Sequence, residues 1–351
     1  MKFLHATLLC GISLIALSSL SACETALNDD LSGCRHTLWA TMSNKDCTQQ
    51  GAKASQFVAP KGKVQLLAFD HRGLLAADTS WTQTESRPVQ RVAFHSLGEG
   101  TFTILGWAGV ENQLWDQPTL KRGQTRLTDV LLQHKVQQLD KNQAGELGKS
   151  QVSLMDLDNS QLWVGQNSAF LKLPNPNKAG HVEQEVTLNM HEQTFHVTAE
   201  IEVDPTTFDG KNDVSAHDFD IRVITEQPKL LMDGSLATSE TKESKEKALI
   251  DVNYTRTSKL LTATFTVPAL TARNSKVRLE LINGTNGKIV EQGTFDLLGL
   301  LMLQQEFDPS CTRNAKLRFV LRDRCLDCGE FSCFSVLANG LKLGNFTDAN
   351  Q

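Results

Sequence analysis

Cysteine is the residue type in this chain with the most chemical options, present at Cys10, Cys23, Cys34, Cys47, Cys311, Cys325, Cys328 and Cys333. Cys325-Leu326-Asp327-Cys328 has the spacing of thiol–disulfide catalysts and of half a zinc site. A redox motif needs an exposed thiolate at a helix N-terminus within a thioredoxin-like unit, whereas the flanks 316–321 and 334–337 read as strands. Covalent haem would need His after the second cysteine, where Gly329 stands. Zinc held by Cys311, Cys325, Cys328 and Cys333 would require thiols that stay reduced. His191-Glu192-Gln193-Thr194-Phe195-His196 looks like a zinc-protease motif, but its histidines are five residues apart instead of four. It reads as a polar turn. Asp209-Gly210-Lys211-Asn212-Asp213, with Asp204, Asp218 and Asp220, is rich in carboxylates. Lys211 and Val214 break the EF-hand pattern, leaving a solvated acidic loop, with a looser calcium site as the alternative.

Asp156 and Asp158 share one face of a candidate strand and mimic a glycosidase pair, an arrangement common at strand ends. All five tryptophans precede residue 174. Most should be core, but Trp107 and Trp115 flank a Gly-containing stretch and are the candidate exposed pair for stacking on a ligand. No G-x-S-x-G and no Walker loop occurs, and Gly98-Glu99-Gly100 lacks a third glycine. The expectation is therefore no catalytic residues, no metal and no cofactor.

The N-terminus carries the clearest instruction. Lys2 supplies a positive start, residues 3–17 are apolar, and small residues follow. That is a secretory signal, too short for a transmembrane anchor. Its end, Leu20-Ser21-Ala22-Cys23, resembles the lipobox of bacterial lipoproteins. The resemblance implies cleavage before Cys23 and acylation of that residue. Glu24, where an inner-membrane protein of the class tends to carry Asp, implies the outer membrane, facing either the periplasm or the exterior. Signal removal takes Cys10 and lipidation takes Cys23, which leaves Cys34, Cys47, Cys311, Cys325, Cys328 and Cys333. Six cysteines in an oxidising compartment suggest three disulfides, with about fifteen pairings open. Proximity favours Cys34 with Cys47.

The elements around these residues are mostly strands. The chain has 351 residues, 40% apolar and 21% charged, with 35 Lys+Arg against 40 Asp+Glu. That length suggests two domains, the apolar content argues against disorder, and a formal net charge of −5 gives no general attraction to nucleic acid. Residues 1–22 are the signal and 23–62 a tether with the first cysteine pair. Residues 63–173 form a β-rich domain, with a helix expected over 126–139 from the spacing of Leu127, Val130, Leu131, Val136 and Leu139. Pro174 and Pro176 mark 174–180 as an extended linker.

Residues 181–300 alternate most cleanly, as at Phe195, Val197, Ala199, Ile201 and Val203. Seven such strands, each wet on one face, bury their dry faces by stacking. Residues 301–351 are a cysteine-rich segment that either completes this domain or pairs back onto the first. The fold class is mainly β: tandem β-sandwich-type domains, the second immunoglobulin-like in pattern, one helix in the first, and a disulfide-stapled C-terminal cap. The function expected is a non-catalytic cell-envelope lipoprotein, held to the membrane by its lipid and binding a protein partner in the envelope, with no nucleic acid. A surface adhesin using first-domain aromatics is the alternative, and an envelope hydrolase or thiol–disulfide oxidoreductase the third.

Overall fold

A computed structural model describes residues 36–44, 55–89, 91–111, 113–135, 137–138, 152–157, 160–167, 169–204, 218–226, 229–231, 247–257, 259–270, 277–305, 307–309, 311–323 and 331–345. Two large sheets dominate them. The N-terminal sheet contains β1 (His36–Asn44), β2 (Gly62–Phe69), β3 (Leu75–Gln83), β4 (Val92–Leu97), β5 (Gly100–Val110), β6 (Trp163–Asn167), β7 (Leu171–Leu173) and β8 (Glu183–Glu192). Its order is β1-β8-β6-β5-β2-β3, with β4 on the other side of β1 and β7 against β5. Leu66, Ala68, Ile104, Leu188 and Met190 pack on one face, with Leu38, Ala40 and Met42 of β1. Leu67, Phe69, Leu105, Trp107 and Val164 belong to a separate core that continues into the C-terminal half. Dry surroundings on both faces explain why β2 reads as a nearly unbroken apolar run.

Two expectations for this half are corrected. The stretch 126–139 is not a helix: a 3-10 turn, Leu127–Asp129, leads into strands Leu131–His134 and Gln137–Gln138. Val130, Leu132 and His134 are buried while Leu131 is only partly so and Gln133 is exposed, a period of two. Leu131–His134 pairs with Trp115–Asp116 on one side and Lys229–Leu231 on the other, and these cross-strand partners outweigh a weak helical spacing. The stretch 174–180 contains a one-turn helix, α1 (Pro176–Ala179). Pro176 takes a first-turn position that needs no N–H, and Asn175 caps the turn by accepting from the Asn177 N–H at 2.9 Å. Proline forbids a helix interior, not its start.

This segment also does not divide the two sheets. β8, expected to open the second sandwich, runs parallel to β1 and antiparallel to β6. The chain changes sheets at Gln193, between β8 and β9 (Thr194–Val203). The C-terminal sheet continues with β10 (Phe219–Glu226), β11 (Lys247–Ile250), β12 (Asn253–Arg256), β13 (Leu260–Pro268), β14 (Arg278–Asn283) and β15 (Ile289–Asp296). After α2 (Leu297–Met302) come β16 (Asn314–Asp323), β17 (Phe331–Ala338) and β18 (Leu341–Asn345). The order is β11-β10-β14-β15-β17-β16-β9-β13-β12, with β18 on β17, and the strands Val152–Met155 and Gln137–Gln138 extend it beyond β11. β11 and β12 are neighbours in the chain yet lie far apart in this order, so the sheet doubles over into two layers. Phe195, Val197, Ala199 and Ile201 of β9 pack there with Phe219, Leu279, Leu281, Leu317 and Phe319. The chain's one tyrosine stitches the layers: Tyr254 Oη donates to the Ile221 carbonyl at 2.8 Å and accepts from the Ile221 N–H at 3.2 Å. The fold is mainly β with a sandwich, and β16, parallel to β9, makes the C-terminal segment part of the second unit.

Candidate functional site

Cys23, Cys34, Cys47, Cys325 and Cys328 lie outside the described residues. Cys311 is disulfide-bonded. Cys333 is not: it is a free, buried thiol on β17 opposite Leu321, and burial pushes its pKa up to about 12. Its side chain belongs to the sandwich core, so the expected set of three disulfides, two of them in the C-terminal cap, is corrected: Cys333 has no place in it. Trp107 and Trp115 are corrected as well, since they are 1% and 2% exposed and offer no stacking surface. Trp107 sits in the core shared by the two halves, and Trp115 meets His134 edge to face with centroids 5.1 Å apart. Alternation shows that a tryptophan lies on one face of a strand, but not that another layer covers that face.

His134 shows how dry this region is. Desolvation lowers its pKa from 6.5 to about 4, while its Nε2 lies 3.1 Å from the Asp156 carbonyl. The folded state therefore binds fewer protons than the unfolded chain between these values. Stability is complete above pH 6.5, falls as the pH drops towards 4, and has lost about 3 kcal/mol from this group by then. Urea titrations at pH 7, 5.5 and 4 check this, and His134→Gln should flatten the dependence.

His196 does not face a metal. Its Nε2 lies 3.1 Å from Glu192 Oε1 and its Nδ1 3.0 Å from Thr266 Oγ1. Glu192, 7% exposed, also accepts from Thr194 Oγ1 at 2.9 Å. These contacts brace the joint at Gln193. The Gln193 N–H donates to the Leu162 carbonyl at 2.6 Å, and its own carbonyl accepts from the Ala269 N–H at 2.9 Å. Residues 209 and 213 of the acidic loop and Asp158 of the carboxylate pair lie outside the described residues. Asp220 pairs with Arg256, and Asp156 is exposed. Among the described residues, no three His, Cys, Asp or Glu side chains come together as metal ligands.

The arrangement that does stand out was read from sequence as tether. β1 matches β8 in parallel register from Thr37 opposite Glu183 to Asn44 opposite Met190. β4 holds the other edge of β1. Side chains add rungs on the β8 side. Trp39 Nε1 donates to Glu183 Oε2 at 3.2 Å, Thr41 Oγ1 donates to the Val186 carbonyl at 3.3 Å, and Ser43 Oγ donates to Asn189 Oδ1 at 3.2 Å. Arg91 stacks its guanidinium 4.1 Å from the Trp39 ring centroid. At the head of the strand His36 is fully buried. Its Nδ1 accepts from the Val182 N–H at 3.2 Å, so Nε2 carries the proton and donates to the Pro174 carbonyl at 2.7 Å. The signal for this strand was present: Leu38, Ala40 and Met42 alternate with Thr37, Trp39, Thr41 and Ser43.

Comparison with known proteins gives a consistent result. The family described as Mfa2, fimbrillin-A associated anchor proteins Mfa1 and Mfa2, matches residues 31–333. Among solved structures, the fimbrial anchor protein Mfa2 from Porphyromonas gingivalis has a TM-score of 0.68 at 17% identity, covering 89% of this chain and all (100%) of its own. A candidate polysaccharide-binding protein from Bacteroides thetaiotaomicron scores 0.60 at 17% identity, covering 91% of this chain and 100% of its own. A candidate adhesin from Bacteroides ovatus scores 0.59 at 12% identity over 90% and 96%. At such identities these likenesses are of fold. No curated protein matches the sequence.

Proposed function

The chain belongs to the fimbrillin-A associated anchor family, and from that membership we propose that it is a lipid-anchored envelope protein that holds a fimbrial subunit at the cell surface. The observation that carries this reading is the order of parts. An acylatable Cys23 is followed by twelve residues, 24–35, and then by a strand locked into the middle of a sheet. A protein that fastens an appendage needs those parts in that order: lipid, short spacer, rigid body. Two or three acyl chains, at about 0.8 kcal/mol per buried methylene, make release from the membrane negligible. The role is binding and assembly rather than catalysis, and Glu24 favours the outer membrane.

Two measurements test it. Radiolabelled palmitate should enter the wild-type product, and Cys23→Ser should abolish the label and move the protein from membrane pellets to the soluble fraction. Retention of Cys23→Ser in the pellet would refute the anchor. Cross-linking in fimbriated cells should capture a fimbrial subunit with the wild-type protein. A surface adhesin is the competing reading, supported by the adhesin-like folds among the solved structures. With Trp107 and Trp115 buried it would have to use a different face.

A further inference from the structure

An appendage under flow pulls on its anchor, and the strand order shows where that tension would run. We propose that β1 and β8 form a mechanical shear clamp, which resists separation of the membrane tether from the body of the protein. The inference rests on the tethered reading for the source of the tension, but the clamp itself is a property of the fold.

The geometry is specific. Tension from a tether enters β1 at its N-terminal end, beside His36. It leaves β8 at its C-terminal end, where Gln193 passes directly into β9. Because β1 and β8 are parallel, pulling one by its start and the other by its finish slides them along their common axis. Evenly spaced parallel hydrogen bonds then share the load and must fail together. A strand pulled away from one end would instead lose its bonds one at a time.

Three features add to this. β4 holds the second edge of β1, so sliding must break two ladders. The Trp39, Thr41 and Ser43 rungs join side chains of β1 to β8 along the direction of sliding. Beyond the joint, β9 repeats the design, with β16 parallel to it from His196 opposite Asn314 to Val203 opposite Leu321, and β13 antiparallel on its other edge. Glu192, Thr194 and His196 tie the two strands across Gln193, so tension passes from one sheet to the next through braced backbone.

Single-molecule force measurement tests this on the mature, unacylated chain carrying Cys34→Ser and Cys47→Ser, because the bridge expected between those cysteines would carry tension past β1. One handle is placed on residue 23 and the other on Asn286, in the exposed turn between β14 and β15. A control geometry pulls from the exposed Lys121 to Asn286 and so bypasses β1. At constant force the bond lifetime should be at least about tenfold longer in the first geometry, since forced unfolding is governed by the unfolding barrier. Thr41→Val with Ser43→Ala should shorten that lifetime about tenfold and leave the control unchanged. Trp39→Phe, which removes the indole N–H of its rung and shrinks the ring beneath Arg91, serves if the double variant does not fold. Equal lifetimes in the two geometries, or a variant effect of equal size in both, would overturn the clamp. Absence of palmitate on Cys23 would remove the anchor and leave this measurement standing.

Discussion

Gly109→Ala should leave most of the chain unfolded. Gly109 sits near the end of β5 at a φ of +80°, in a region where an alanine costs about 1–2 kcal/mol. The larger difficulty is space. A Cβ there would lie 1.9 Å from the carbonyl oxygen of Gln161 and 2.7 Å from Cγ of Pro60. The first of these is backbone, so no rotamer change relieves it, and the 160–162 segment would have to move away from β5. That segment feeds β6 and receives the Gln193 N–H on the Leu162 carbonyl, so the disturbance reaches both β8 and the joint. The total should be at least about 4 kcal/mol, a large part of the ~5–15 kcal/mol that holds a typical domain. The expected result is insoluble product or a melting transition well below wild type. Gly123→Ala is the control: its φ is +70° but nothing lies within 4 Å of the added carbon, so it should cost only about 1 kcal/mol. Equal stability of the two variants would show that the Gln161 carbonyl yields to a methyl group at no cost.

His36→Ala should destabilise the folded protein by about 4 kcal/mol without abolishing it. The imidazole is fully buried and uses both nitrogens, one for the Pro174 carbonyl and one for the Val182 N–H. Removing it strands a part-buried acceptor and a part-buried donor, at up to about 3 kcal/mol each, and opens a cavity. The two groups bracket α1, so the loss should be local first. Cleavage by a protease within 174–182 should become faster than global unfolding allows, and the urea midpoint should fall with little change in slope. A loss below about 1 kcal/mol would mean that water replaces the ring and that His36 does not fasten the head of β1.

How much of this was legible depends on what kind of information each feature needs. The strands of the second sandwich were visible because one wet and one dry face impose a period of two. Phe195 to Val203 could hardly be anything else. Strand β1 carries the same alternation at Leu38, Ala40 and Met42, but it lies in a stretch bounded by two cysteines and was read as tether. β3 was missed outright: its Leu75–Gln83 run contains Asp78, Thr79 and Ser80, and it lies at the end of its sheet's strand order, where alternation is weak. Trp107 and Trp115 could be placed near a turn but not under a second layer. The spacing of Leu127, Val130 and Leu131 looked helical because a short stretch of four apolar residues fits two periods equally well.

The β class, the alternating sandwich strands and the absence of recognisable catalytic motifs follow from the sequence alone, because each depends on local order or on periodicity within a few residues. Which sheet each strand joins was decided by tertiary structure. β8 left the sandwich to lie beside β1, Cys333 turned into the core as a free thiol, and His36 closed over Pro174 and Val182, 138 and 146 residues away. The physical reason is that alternation encodes a strand's two faces but not its two edges. The backbone groups on those edges are alike in every strand, and only the packing of the whole chain determines which neighbour satisfies them.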